Sequence, residues 1–327
     1  MPFSSVQCYT DPEQFEAAYA ATKVDLTQSG RSPFTAHVVR VELGNLWVHQ
    51  VKESVPRIKH KEHAGGRAFF KFLPLPGQKF MIQGDALPDE GIIGHSRGQS
   101  YYERTNGTVC WASISLPIPD MIAASTAMRG FNLLDAYDAR VVVPSADAMS
   151  RLRQLHKTAV DLAGTAPHLL ATPMVAHGLQ QLLVEALVGA FDNPNVHAIK
   201  WRQQAHATIM RRLRDLLKDN PSRPIYIPEI CAAIRVPERT LRQCCQEQLG
   251  MSPKQFLLLC RIHQARRILR TTTPAETTVT EIAMRFGFWH LSRFAETYRS
   301  TFGELPSVTL RAPCTPNGSG TAQPTLQ

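Results

Sequence analysis

Cysteine is present but in no pattern that would use it: there are seven, an odd number, and no Cys-x-x-Cys occurs. A disulfide framework is therefore not expected, and a reducing compartment, the cytoplasm, is. No apolar run follows the opening Met1-Pro2-Phe3-Ser4-Ser5, which argues against a secretory leader, and no stretch is long and apolar enough to span a bilayer. Nucleophile elbow, phosphate loop, dinucleotide fingerprint and His-Glu-x-x-His are all missing. These absences leave no catalytic residue to name, and neither a cofactor nor a metal is expected.

An acidic excess is missing as well. The chain carries a formal +9, and between Trp201 and Arg311 stand 18 Lys and Arg against 9 Asp and Glu, while the remainder holds 18 of each sign. All of the excess positive charge falls in one segment, where it can neutralise the phosphates of duplex DNA and release their counterions. A solvated basic helical surface would look the same by charge alone.

What is present on that segment separates the two readings. Ile230, Cys231, Ile234 and Val236 recur as Ile282, Ala283, Phe286 and Phe288, at an offset of 52. Leu241, Cys245, Leu249, Gly250 and Pro253 recur as Phe294, Tyr298, Phe302, Gly303 and Pro306, at an offset of 53. Each copy reads as a short helix, a tight turn and a second helix that ends at glycine, a shape that lays a helix in the DNA major groove.

The first copy has its scaffold helix over Ile227–Ile234 and its second helix after Pro237. With the apolar positions inward, Glu238, Arg239, Arg242, Gln243 and Gln246 are left outward as candidate DNA-binding residues. In the second copy the scaffold is Val279–Phe286, Gly287 supplies the turn, and His290–Phe302 is the reading helix. Its outward candidates are His290, Ser292, Arg293, Glu296 and Arg299. Arg suits guanine, Gln suits adenine and Glu can accept from cytosine, each good pair being worth roughly 1–3 kcal/mol of discrimination. About half at best are expected to read bases, the others touching only phosphate or solvent. Ser252-Pro253 opens a connecting helix to about Arg270, a spacer that can hold two reading helices on successive turns of one duplex face.

These motifs resemble the AraC/XylS regulators. Ala283-Met284-Arg285-Phe286-Gly287-Phe288, Ser292-Arg293-Phe294 and Phe302-Gly303-Glu304-Leu305-Pro306-Ser307 look like that family's second-unit signature, and Val236-Pro237-Glu238-Arg239-Thr240-Leu241 and Leu249-Gly250-Met251-Ser252-Pro253 match its first unit. The resemblance covers about residues 200–311. Cys244-Cys245 departs from it, standing where larger apolar residues are usual. Gly287-Phe288-Trp289-His290-Leu291 and Pro306-Ser307-Val308-Thr309-Leu310 look closer to the ethanolamine-utilisation regulator branch, which would imply a small-molecule inducer and cobalamin as a candidate. The resemblance also implies an activator that contacts RNA polymerase and a cupin-like N-terminal sensing module.

The expected fold class is α+β multidomain. Residues 1–144 would form a β-rich effector-sensing barrel or sandwich. Residues 145–195 would be a helical linker suited to a homodimer, 196–311 the all-α tandem helix-turn-helix domain, and 312–327 a disordered tail. Short strands are expected at Ala68–Leu73, Phe80–Ile82, Gln99–Arg104, Val109–Leu116 and Arg140–Val143, with a hairpin across Gly44-Asn45. Asp11 caps a helix to Ala21, Ser145 caps another, and a third spans Val175–Phe191. Asp192-Asn193-Pro194-Asn195 reads as the link between the halves, and a helix from Ala198 to Lys218 opens the second.

Three features invite other chemistry. His60-Lys61-Glu62-His63, with His49 and His95, could be metal ligands, but spacing supplies two where zinc needs three or four, so surface or loop histidines are expected. Trp47, Trp111, Phe69, Phe70, Phe72, Tyr101 and Tyr102 could line a cavity; core positions are the expectation. Cys231, Cys244 and Cys245 could make a redox switch, though buried cysteines usually act as small apolar residues. The leading expectation is a DNA-binding regulator without catalytic activity, governed by a small molecule. Its rivals are a metal-bound cupin-like enzyme tethered to DNA and an effector-free architectural DNA binder.

Overall fold

The computed structural model describes residues 3–312 apart from 20–21, 31, 64, 97, 99, 138–139, 193–194, 198–203 and 221–222. The expectations for the tail past Ala312, for the middle of the link at 193–194 and for the first turns of the helix at 198–203 lie outside the described residues.

The strands are β1 (Phe3–Tyr9), β2 (Thr22–Gln28), β3 (Ala36–Leu43), β4 (Leu46–Glu53), β5 (Arg57–His63), β6 (Arg67–Phe72), β7 (Phe80–Ile82), β8 (Asp85–Ala86), β9 (Ile92–His95), β10 (Ser100–Thr105), β11 (Val109–Pro117), β12 (Val141–Val143) and β13 (Asn195–His197). The helices are α1 (Pro12–Ala17), α2 (Ile118–Arg129), α3 (Leu133–Tyr137), α4 (Ala146–Thr165), α5 (Pro167–Ala171), α6 (Pro173–Gly189), α7 (Gln204–Asp219), α8 (Ile227–Ile234), α9 (Glu238–Leu249), α10 (Pro253–Thr271), α11 (Val279–Arg285), α12 (Leu291–Phe302) and α13 (Pro306–Arg311).

Antiparallel pairing makes two sheets, ordered β1-β3-β4-β11-β6-β9-β12-β13 and β2-β5-β10-β7-β8. The expected strands appear as β6, β7, β10, β11 and β12, within a residue at each end. Gly44 and Asn45 make the expected two-residue turn: Leu43 pairs with Leu46, and Gly44 sits at φ +61°. Asp11 Oδ1 caps α1 by accepting from the amides of Glu13 and Gln14 at 2.8 and 3.0 Å. That helix ends at Ala17 rather than Ala21, because Tyr19 folds back onto Phe15 and the chain must enter β2 at Thr22.

Alternation sends each strand's two faces to different neighbours. Outward from the larger sheet, Val39, Val41, Val48, Phe70, Phe72 and Ile114 pack under α4 and α6. Met149, Leu152 and Ala159 of α4, with Leu179, Leu183, Ala186 and Leu187 of α6, close that layer. Each such large side chain contributes roughly 1.5–3 kcal/mol on full burial. Leu182 of α6 lies outside that layer, 41% exposed. Ser145 Oγ caps α4 as expected, accepting from the amide of Ala148.

The outer face of the smaller sheet is covered by the C-terminal helices. Ile58 and Tyr102 join Met210, Leu213, Cys245, Leu249 and Phe256 in one apolar cluster. Gln28 Nε2 donates to the Thr301 carbonyl at 2.7 Å, and Gln248 Nε2 donates to that of Gln83 at 2.9 Å. Charge lines the same seam: Lys218 pairs with Asp25 at 3.0 Å, Arg267 with Glu16 at 3.1 Å, Arg266 with Asp11 at 3.7 Å, and Arg270 with Asp11 and Glu13. This corrects the reading of charge from composition. Part of the segregated positive charge complements carboxylates of the N-terminal half rather than standing as one open basic surface.

Three histidines of this half are held neutral. Burial pushes His49 and His63 down from 6.5 to about 3, and His156 to about 4. The unfolded chain takes up protons below pH 6.5 that the folded one refuses. Their stabilisation is therefore complete above that value and is lost as pH falls toward 4. The thermal midpoint is expected to drop steeply between pH 6.5 and 4, by on the order of several kcal/mol of stability in total. A melting temperature that is flat from pH 7 to 5 would contradict the assignment.

Candidate nucleic-acid interface

The repeat read from sequence is a repeat of hydrogen bonds. The amide of Val236 donates to the carbonyl of Cys231 at 3.1 Å, and that of Phe288 donates to Ala283 at 2.9 Å. The residue before each, Arg235 or Gly287, takes the left-handed conformation, at φ +57° and +75°. Glycine does this freely, whereas Arg235 carries a strain that only its context holds. Gly250 and Gly303 close the second helices in the same way, at φ +71° and +79°, donating to Gln246 and Arg299 at 3.1 and 2.8 Å. Pro253 and Pro306 then open the following helices.

Ser252 and Gln255 form a reciprocal cap on α10, and Thr278 and Glu281 form one on α11. The 19 residues of α10 make a rod of about 28 Å. The first unit closes around Leu241, Cys244, Cys245 and Leu249, the second around Phe286, Phe294 and Tyr298, all buried. The two small cysteines are fully enclosed, and burial pushes their thiols up to about 11 and 12, away from the reactive thiolate.

The polar faces are open. Glu238, Arg239, Arg242, Gln243 and Gln246 are all exposed along α9, where Arg242 pairs with Glu238 at 3.0 Å. Ser292, Arg293, Glu296 and Arg299 are exposed along α12, and His290 is exposed at its N-cap. Each set shares one helix, and α10 separates the two. Trp289, quoted above for a resemblance but not among the candidate contacts, is 69% exposed beside His290.

Inside the sheets lies a second candidate site, a cavity of about 130 Å³. Trp47, Phe69, Tyr101 and Trp111 line it, whereas Phe70 and Phe72 face the helical layer and Tyr102 faces the C-terminal helices. Four of the seven aromatics expected as core are therefore cavity walls. The histidines are not on surface loops either. His63 and His95 are buried in β5 and β9 and face the cavity with His49, while His60 lies on the seam beside Arg214 and Asp25. Alternation explains the split: along β5, odd-numbered residues point inward and even-numbered ones outward. His63 accepts or donates at both ring nitrogens, to Thr22 Oγ1 and Tyr101 Oη, each at 2.9 Å. Among the described residues no group of three or more His, Cys, Asp or Glu could hold a metal ion.

β5 and β10 are thus a wall one sheet thick between the cavity and the C-terminal helices. Lys61, His63 and Tyr101 face inward; Ile58, His60 and Tyr102, their neighbours in the chain, touch or approach α7, α9 and α10.

Comparison with known proteins agrees with the geometry of the second half. The family model described as "Helix-turn-helix domain" matches residues 230–312. The probable thc operon regulatory protein of Rhodococcus erythropolis is 33% identical over 139 residues, 42% of each chain. The XylDLEGF operon transcriptional activator of Pseudomonas putida is 35% identical over 100 residues, 31% of each chain. The chain thus matches less than half the length of either relative. A solved probable AraC family transcriptional regulator from Rhodopseudomonas palustris CGA009 is 36% identical, covering 31% of this chain and 94% of that one, with a TM-score of 0.29. With its paired turns, paired glycine caps and connecting rod, the chain belongs, through this C-terminal segment, to the AraC/XylS family of tandem helix-turn-helix proteins.

Proposed function

We propose that this protein is a sequence-specific DNA-binding transcription regulator, an activator, that reads two successive major grooves with α9 and α12 and is governed by a small molecule held between its sheets. The observation that carries the reading is the pair of exposed polar helix faces, built by the same hydrogen bonds at both ends of one rod. In this scheme residues 1–144 sense, 145–195 support, and 196–311 read DNA. Contact with RNA polymerase, pairing of two copies and work in the cytoplasm belong to the same proposal, which includes no catalytic step. Leu169, Met174 and Leu182 leave apolar surface on α5 and α6 for a second copy. No helix among the described residues is long and apolar enough to cross a membrane.

Ligand acts by unequal affinity for two arrangements of the halves. The shared wall supplies the means, since a shift of β5 or β10 on its cavity side displaces the residues that hold α7, α9 and α10 on the other.

Genome-wide footprinting locates the operator. On that DNA, Arg239→Ala and Arg293→Ala are each expected to weaken binding by roughly 5- to 150-fold and to relax base preference at one position, with the fold intact. A phosphate contact would instead weaken all sequences alike and flatten the salt dependence. Wild-type footprints and affinities in both variants would refute the reading-face assignment.

A further inference from the structure

We propose that the cavity between the sheets takes an organic carboxylate, a compact apolar body of about one ring with its anionic end held by Lys61 and Lys71. The proposal deepens the small-molecule reading above and rests on it.

The interior of a sheet sandwich is ordinarily apolar, and this one is not. Arg57, Lys59 and Lys61 point inward at alternate positions of β5, and Lys71 points inward from β6, all nearly or fully buried. Two wholly buried carboxylates, Glu53 and Glu103, answer these four cations. Glu53 is fully engaged. It accepts from Arg57 at 2.7 and 3.0 Å, from Lys59 at 2.8 Å and from the Trp111 indole at 2.6 Å. Glu103 is shared: Lys61 approaches its Oε1 at 3.3 Å, Lys71 bonds the same oxygen, and Arg57 lies 3.8 Å from Oε2. Arg40 and Glu42, half-buried where the cavity nears solvent, offset one another in sign. Among the described residues, then, four inward basic side chains face two carboxylates, and of those four Lys61 and Lys71 border the void.

Buried cations in excess are costly unless a counter-charge arrives. Burial pushes the ammonium groups of Lys61 and Lys71 below the usual lysine range, and an anion between them would draw both back up. Both ammonium groups also lie over the Trp111 ring, at 4.4 and 4.5 Å, which holds them at the cavity wall. The neighbouring imidazoles are kept neutral, so they can orient a ligand without adding to the charge.

The remaining wall selects the body of the ligand. Phe15, Val38, Val51, Phe69 and Tyr101 present apolar and aromatic surface. The volume of about 130 Å³ is close to that of a dry cavity, about 150 Å³, that accepts benzene. A bare inorganic anion would leave this surface unfilled, and a neutral polyol would find donors where it needs a balance of donors and acceptors.

The test is thermal unfolding and titration calorimetry of the full chain with phenylacetate and cyclohexylacetate, their neutral amides, and inorganic phosphate alone. Carboxylates are expected to raise the unfolding midpoint by roughly 5–10 °C at a hundredfold excess over Kd. The amides and phosphate should leave it unmoved. Lys61→Met and Lys71→Met should each weaken carboxylate binding at least tenfold while raising the midpoint of the ligand-free protein, because each leaves Glu103 one fewer buried cation to share. Lys61→Arg and Lys71→Arg keep the charge and should retain binding. A purely structural role for the lysines predicts lower midpoints in the Met variants. The proposal is overturned if no carboxylate moves the midpoint, if amides or phosphate move it as far, or if the Met variants bind undiminished. None of these readouts involves DNA, so their failure leaves the Arg239 and Arg293 results to stand or fall separately.

Discussion

Replacing Glu53 with alanine is expected to leave the N-terminal half unable to fold at ambient temperature. Glu53 is wholly buried at the end of β4 and is the acceptor for four donor contacts from Arg57, Lys59 and Trp111. Without it, the Lys59 ammonium loses its carboxylate and the Arg57 guanidinium keeps only the longer 3.8 Å approach to Glu103. Losing one partner of a buried ion pair costs about 3–5 kcal/mol, and here two cations lose their nearest carboxylate together. That equals much of the stability of an ordinary domain. Glu53→Gln should fare little better, because an amide can accept a hydrogen bond but cannot neutralise. Removing the cations as well, with Arg57→Met and Lys59→Met on Glu53→Ala, should recover most of the loss. Urea unfolding followed by the fluorescence of Trp111 and its neighbours measures each step. A Glu53→Ala protein with the wild-type midpoint would mean that this charge network is not what holds β4, β5 and β11 together.

Tyr298→Ala should dismantle the second reading unit alone. The ring is fully enclosed between Phe294 and Phe302, at centroid distances of 5.8 and 4.7 Å. Its hydroxyl donates to Thr309 Oγ1 at 2.8 Å, which in turn donates to Glu304 at 2.8 Å, and Arg266 donates to that same carboxylate at 2.7 Å. Truncating a buried ring of this size costs about 3–5 kcal/mol. The cluster it belongs to, Ile262, Leu269, Ile282, Phe286 and Leu310 among them, is separate from that of the first unit. Hydrogen exchange should therefore rise over α11 to α13 while α8 and α9 stay protected, and the DNA footprint should shrink from two major grooves to one. Tyr298→Phe, which loses only the hydrogen bond, should cost about 1 kcal/mol and keep the full footprint. A full-length footprint with Tyr298→Ala would show that α12 does not read DNA.

The helix-turn-helix units were legible because their signals are local. Turns that need left-handed residues, glycine caps, proline at first helical positions and Ser/Thr caps act within a few residues. The same bonds therefore recur wherever the same spacing recurs, as at Cys231–Val236 and Ala283–Phe288. The helix α2 left equally local marks, Pro119 at its start and Gly130 at φ +77° at its end, but lay hidden among strand-like neighbours. β5 was missed for another reason. Its inward residues are Arg57, Lys59, Lys61 and His63, so apolar alternation, the usual mark of a half-buried strand, is absent. A period of two in basic residues was present, and it carried the information.

By itself, then, the sequence determined the paired helix-turn-helix units, their outward residues, the rod between them and the strand-rich character of the first half. Each of these depends on contacts between near neighbours in the chain. Only the tertiary structure decided what the interior of the sheets holds, which aromatics line a void, and which cations of the second half are already paired with carboxylates of the first. Those outcomes depend on which distant segments meet and with which face, and a strand's two faces differ only by a register of one residue.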